Sequence, residues 1–118
     1  MGDQRLLSAY RIRRGADFRR VYRRRCSASD DLLLVLGGPN DLPHPRLGLS
    51  VSRKVGGAVV RNRWKRLLRE AFRITREQLP VGVDLVVIPR PNAEPTLAGL
   101  LRTLPRLAAK VARKLPGS

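Results

Sequence analysis

Between Arg61 and Arg73 the chain places Arg61, Asn62, Arg63, Lys65, Arg66, Arg69 and Arg73 among apolar residues, with Glu70 the one acid in the run. Cations at that density suit the neutralisation of phosphate oxygens, with a basic face that is only solvated as the plainer reading. Arginine's planar fork takes a phosphate bidentately and stacks on bases, whereas lysine acts as a point charge. Carboxylate chemistry is poorly provided for. Of the nine acids only Asp30 and Asp31 are adjacent, and neighbours on a strand point to opposite faces. The single histidine, His44, stands between Pro43 and Pro45 and cannot make a metal triad by itself. No nucleophile–base pair and no two-metal carboxylate cluster emerges, so neither intrinsic nuclease activity nor a protein-held metal is expected. Cys26 is the only cysteine. That excludes an intrachain disulfide and a cysteine zinc cluster and fits a reducing compartment.

The element that positions these cations is a helix over about 58–78, entered through Gly56-Gly57 and ended near Pro80. At ~100° per residue, Val60, Trp64, Leu67, Leu68, Ala71 and Ile74 share an arc of about 120°, the predicted core face. The cations and Asn62 fill a separate arc of about 140°, with Arg63 at the edge of the apolar stripe. Solvated helices mix signs to gain i,i+4 pairs, whereas this one stacks like charges, at a cost of a few tenths of a kcal/mol per pair. A polyanionic partner reverses that cost. Two readings of Asn62 stay open: donation to a phosphate or base edge, or a local bond near the helix start.

The rest of the chain reads as a frame around that helix. Residues 1–14 carry Arg5, Arg11, Arg13 and Arg14 with little apolar content and form a basic arm, mobile or partly extended. Residues 15–118 form one domain. A helix runs over 16–25, with Phe18, Val21 and Tyr22 at i, i+3, i+4. Residues 27–31 are turn-like with room for a short strand at their start. A strand follows over 31–36, then a loop over 37–45 punctuated by Gly37, Gly38, Pro39, Pro43 and Pro45. The stretch 46–52 alternates, with Leu47, Leu49 and Val51 on one face and Gly48, Ser50 and Ser52 on the other. Those small residues either leave room for a ligand or simply face solvent. A strand over 83–88 and a helix over about 96–115 complete the chain. Pro105 lies inside that helix and is expected to kink or split it. Leu97, Leu100, Leu101, Leu104, Ala108 and Val111 form its core face. The fold class is α+β, a single small sandwich around one sheet.

Charge sets the class of partner. The 118 residues hold 25 Lys+Arg against 9 Asp+Glu, a net charge of +16, with 42% apolar residues for one modest core. Such an excess is tolerable when a polyanion neutralises it, and nucleic acid is the first candidate. No apolar run reaches the ~18 residues that span a membrane. Leu6-Leu7 is too short for the core of a signal peptide, and a cytoplasmic location is expected.

From Lys54 through Phe72, centred on Arg61-Asn62-Arg63, the chain resembles the signature of the bacterial ribonuclease P protein component. The stretches 11–22, 46–54 and 84–90 resemble that family's first helix, the strand before the signature and the last strand. The resemblance implies an α-β-β-β-α-β-α sandwich with a left-handed β-α-β crossover, similar to a ribosomal-protein domain. It implies an enzyme only as part of a ribonucleoprotein. A catalytic RNA supplies the active site and holds Mg2+, and the 5′ leader of precursor tRNA is removed to give the mature end. The partners implied are that catalytic RNA and precursor tRNA, with no membrane and no obligate protein partner.

Carried over by position, Arg53, Lys54, Arg61, Asn62, Arg63, Lys65, Arg66, Arg69 and Arg73 are the expected RNA-binding residues. Phe18, Tyr22, Ser50 and Ser52 are the expected leader cleft, with core packing of the first helix the competing reading of Phe18 and Tyr22. Leu36 stands where some members place a third aromatic, and Trp64 where a smaller aliphatic is usual. The competing function is a non-catalytic basic RNA-binding module, such as a small ribosomal protein. Such a module needs no cleft beside its basic helix.

Overall fold

The computed structural model describes residues 8–115. In chain order the elements are α1 (Gly15–Arg24), β1 (Cys26–Ser29), β2 (Leu33–Pro39), β3 (Arg46–Leu49), α2 (Ala58–Thr75), β4 (Val83–Pro89) and α3 (Leu97–Lys114). The sheet has strand order β1-β2-β4-β3. β1 and β2, and β2 and β4, are antiparallel; β3 and β4 are parallel. The chain leaves β3, runs through α2 and returns as β4, so α2 is the crossover helix of a β-α-β unit.

The sheet alternation explains the two layers. Leu33, Val35, Leu47, Leu85 and Val87 join Trp64, Leu68 and Phe72 of α2 and Leu100, Leu104, Leu107 and Val111 of α3 in the main core. Val86, on the opposite face, joins Ile12 and Val21 in a second cluster, with Phe18, Leu36 and Ile88 packed against it. The helices α2 and α3 thus cover one sheet face, and α1 part of the other. Thr96 starts α3 by accepting the Gly99 amide on its hydroxyl, 3.1 Å away, a common N-cap bond.

Several predicted boundaries shift. The predicted turn over 27–31 is largely strand β1, whose inward residues are the small Cys26 and Ala28, too weak a pattern to announce itself. β2 continues through Gly37, Gly38 and Pro39, which were expected in a loop. A Cβ at Gly37 would lie 2.3 Å from Val111 Cγ1, so glycine there lets α3 approach the sheet. Pro39 is accommodated because the pairing of β1 with β2 stops at Gly37, leaving no β1 partner for a donor at Pro39. β3 ends at Leu49 rather than Ser52. α3 runs unbroken through Pro105, which costs one backbone bond but no split; its buried face adds Thr103 and Leu107 to the expected set, while Leu97 and Leu101 are only half-buried.

The core face of α2 is Trp64, Leu68, Ala71, Phe72 and Thr75. That arc is rotated by about 50° from the predicted one. Val60 and Ile74, expected inside, are 41% and 46% exposed. Phe72 turns inward toward Tyr10, whose ring centroid is 6.5 Å away. Tyr10 comes from a remote part of the chain that helical periodicity cannot report.

The described part of the predicted basic arm, residues 8–14, is docked. Ser8–Tyr10 form a short 3-10 turn. Tyr10 meets His44 edge-on at 4.7 Å, and the Arg76 guanidinium lies 4.2 Å over its ring. Arg11 then bridges to Leu47 in parallel, and the Ile12 amide donates to the Leu47 carbonyl at 3.0 Å. The remainder of that arm, residues 1–7, lies outside the described residues.

Candidate RNA interface

The predicted cations of α2 separate into two groups. Arg61, Lys65 and Arg69 are half-buried beside the core face, while Asn62, Arg63, Arg66 and Arg73 are exposed. The half-buried side borders a cleft of about 370 Å³ lined by Lys65 and Arg69 from α2, Phe18 from α1, Gly48 from β3, and Arg11 and Arg13 from the N-terminal segment. No acid lines it. A Cβ at Gly48 would stand 2.7 Å from Phe18 Cε1 and 3.1 Å from Ile12 Cδ1. Glycine there allows the Phe18 ring to lie against the sheet. Phe18 packs on the Ile12–Val21–Val86 cluster and also lines this cleft.

Tyr22, one turn on, is 41% exposed and borders a different groove with Arg19, Arg23 and Arg25. The two aromatics are successive positions along α1 rather than one pocket, about 6 Å apart by helical rise. Leu36, at the possible third aromatic position, packs against the same cluster as Phe18.

Ser50 and Ser52 lie beyond the end of β3, not on its face. The Ser50 amide donates to the Val87 carbonyl at 3.1 Å, and the Ser52 hydroxyl accepts the Lys54 amide at 3.3 Å. Ser52 thereby starts the 3-10 turn Arg53–Val55 and holds Arg53 and Lys54 exposed. Lys54 and Arg63 meet in another groove, with Val59, Val60 and Glu94. Gly56 sits at φ 143, and a Cβ there would touch Val60 at 2.9 Å. Both facts require glycine at this entry to α2. The side-chain amide of Asn62 has no hydrogen-bond partner among the described residues, and the α2 N-cap, Gly57, makes no side-chain bond. Local capping by Asn62 is therefore absent.

Electrostatically, Asp17, Asp30, Glu70 and Asp84 are each engaged by an arginine. Glu70 accepts from Arg73 at i+3, and that bond holds its carboxyl below the usual range. Arg73 is thus the one expected RNA-binding cation of α2 with an ion-pair partner among the described residues. The Nε atoms of Arg11 and Arg61 are buried without a hydrogen-bond partner. Burial, and then the neighbouring Arg11, hold Arg69 below the usual arginine value. No three of His, Cys, Asp and Glu converge among the described residues. Among the described residues, no helix is long and apolar enough to cross a membrane.

Sequence reasoning missed Arg11 and Arg13 as cleft residues. The alternation Tyr10-Arg11-Ile12-Arg13 carried a faint strand signal, but its partner strand could be learned only from the fold.

A cation-lined, aromatic-floored cleft beside a polycationic crossover helix defines a small basic α+β protein that works against a polyanion. The sequence pattern of the family Ribonuclease P matches residues 6–112, and the chain belongs to that family. It is 44% identical over 112 residues to the ribonuclease P protein component of Methylococcus capsulatus, covering 93% of this chain and 87% of that protein. It is 43% identical over 113 residues to the corresponding protein of Desulfovibrio desulfuricans, covering 92% and 87%. Among solved structures, the Staphylococcus aureus RNase P protein superposes with a TM-score of 0.75 at 36% identity, covering 90% of this chain and 97% of that one. The Thermotoga maritima protein gives 0.74 at 32% identity, covering 84% and 96%. The family is the protein component of a ribonucleoprotein endoribonuclease, which makes the enzyme's RNA subunit the partner of this chain.

Proposed function

We propose that this protein binds the catalytic RNA of ribonuclease P through the exposed cations of α2 and holds the single-stranded 5′ leader of precursor tRNA along α1. The observation that carries this reading is the Phe18 cleft, where an aromatic ring and four cations meet without an acid. Single-stranded RNA is gripped by base stacking on aromatic side chains together with a basic groove, and this needs little sequence preference. Duplex-binding surfaces have no use for a ring facing open space. Stacking on Phe18 and then Tyr22 suits successive unpaired bases.

The protein's contribution is then binding and orientation. Arg63, Arg66, Lys54 and Arg53 neutralise phosphates of the catalytic RNA; Phe18 and Tyr22 hold the leader so that the scissile bond is presented to the RNA active site. Magnesium, which assists the cleavage, belongs to RNA ligands in this reading. The cytoplasm is where both RNAs are met.

The test is leader dependence. With the reconstituted holoenzyme, affinity should be higher for precursor tRNA than for the same tRNA lacking its leader. Phe18→Ala should remove most of that difference, on the order of 1–3 kcal/mol per stacked base, and leave assembly with the RNA subunit intact. If Phe18→Ala leaves the leader preference whole, the cleft is not the leader site.

A further inference from the structure

Helix α3 carries a second cationic face, remote from the Phe18 cleft. Over Leu97–Lys114 it holds Arg102, Arg106, Lys110, Arg113 and Lys114 and no acid. Arg102, Arg106, Lys110 and Arg113 are exposed. At ~100° per residue they share an arc of about 80°, and at about 1.5 Å per residue the stripe runs roughly 16 Å along the axis. Arg102 and Arg106, and Arg106 and Lys110, are like charges at i,i+4, an unfavourable spacing for a helix that meets only water. The helix dipole favours cations in the last turn, which accounts for Arg113 and Lys114. It does not account for Arg102, in the second turn.

Some of these cations hold α3 to the sheet. Arg106 pairs with Asp30 at 2.5 Å, and Lys114 donates to the Ser27 carbonyl at 2.6 Å. Arg102, Lys110 and Arg113 have neither an ion pair nor a hydrogen bond among the described residues. They are the part of the stripe that the fold does not use.

The chemistry of the face selects its partner. No aromatic residue lies within α3, so an unpaired base has no ring to stack on, and single-strand binding couples cations to such rings. Double-helical RNA is bound through its phosphates and ribose hydroxyls and needs none. Position selects which duplex. Both α2 and α3 pack on one face of the sheet, whereas Phe18 and α1 lie on the other. The α3 stripe therefore shares its side of the molecule with Arg63 and Arg66 rather than with the leader.

We propose that Arg102, Lys110 and Arg113 form a second RNA contact that tracks the phosphates of a double-helical stretch of the ribonuclease P RNA, separate from the stretch met by α2. This rests on the RNA subunit being the partner of this chain.

The experiment measures assembly of the full chain with the RNA subunit across a salt series. The triple variant Arg102→Gln, Lys110→Gln, Arg113→Gln should bind about tenfold more weakly or worse, and its slope of log K against log salt should fall by about 2–3, at about 0.9 per duplex phosphate contact. A second measurement locates the contact. Ala109 is exposed within the stripe and Cys26 is buried, so Ala109→Cys can carry an iron–EDTA tether. Hydroxyl radicals from that tether should cut both strands of one helical stretch of the RNA subunit in the holoenzyme.

Wild-type affinity and slope in the triple variant would overturn the proposal and leave the stripe merely solvated. A tether that cuts no RNA, or cuts only bound precursor tRNA, overturns it as well. The tether decides the matter alone if the triple variant proves unfolded by its urea midpoint. If the wild-type chain does not bind the RNA subunit, the partner reading falls and the α3 contact falls with it. If wild type binds and the folded triple variant binds equally, only the α3 contact falls.

Discussion

Arg46 holds Asp84 with two parallel hydrogen bonds, Nε to Oδ1 at 2.8 Å and Nη2 to Oδ2 at 2.6 Å, across the paired strands β3 and β4. Asp84 is fully buried. Asn40 donates to its Oδ1 at 2.9 Å, and Arg46 Nη2 also lies 3.6 Å from Asp17 of α1. The fork therefore fixes the parallel pair that flanks α2 and ties α1 to the same place. Breaking one partner of a buried pair costs more than the pair gains, because the other charge is left stranded. Arg46→Ala should lower stability by about 3–5 kcal/mol, read from the urea midpoint at unchanged m-value. A loss below about 1 kcal/mol would place the pair in the class of solvent-screened ion pairs.

Gly48 and Phe18 are coupled by contact. A methyl group at position 48 would overlap the Phe18 ring at 2.7 Å, so Gly48→Ala must push the ring outward, with a cost of about 1–3 kcal/mol. In a Phe18→Leu background the same substitution should cost less. The double-mutant cycle measures that difference, and strict additivity would show that the ring does not rest on Gly48.

Acid should loosen the anchor of α3. Burial pushes the Asp30 carboxyl up, but the Leu33 and Leu32 amides, the Thr103 hydroxyl and Arg106 outweigh it, leaving the group below the ordinary aspartate range. A carboxyl depressed in the folded state contributes stability that is present above its unfolded value and lost as pH falls through the folded one. Stability of the wild type should therefore fall from about pH 5 downward. Asp30→Asn should be less stable at pH 7 and show a shallower acid limb. Equal limbs for the two proteins would remove Asp30 from the account of acid sensitivity.

The exposed cations of α2 should act through salt. Arg66→Gln and Arg63→Gln should each weaken association with the RNA subunit and reduce the slope of log K against log salt by about 0.9 where a duplex phosphate contact is lost. Glu70 already engages Arg73, so Arg73→Gln should change the slope less. Equal slopes for all three variants and wild type would mean that the outer face of α2 is only solvated.

What the sequence discloses and what it withholds follow from the range of the signals. The identity and order of the α+β elements are local, written in the alternation of 46–49, the apolar run of β4 and the stripes of α2 and α3. The basic character of α2 is equally local. The rotation of α2 about its axis is not, because it depends on Phe72 meeting Tyr10 some sixty positions away. The strand character of Gly37 and Gly38 depends on what packs over them, Val111 and Val21. For the same reason Phe18 was legible as an aromatic in the cleft, whereas Arg11 was not. Its place there is set by one backbone bridge to Leu47.

The central claim, that this chain acts as the protein subunit of ribonuclease P, is tested most directly by precursor-tRNA cleavage with a bacterial ribonuclease P RNA at low magnesium. Correct 5′ maturation should appear with the protein present and fade without it, because the cations of α2 and the cleft replace screening that magnesium supplies at higher concentration. RNA binding without any stimulation of cleavage would contradict the claim and leave a basic RNA-binding module without a role in this reaction.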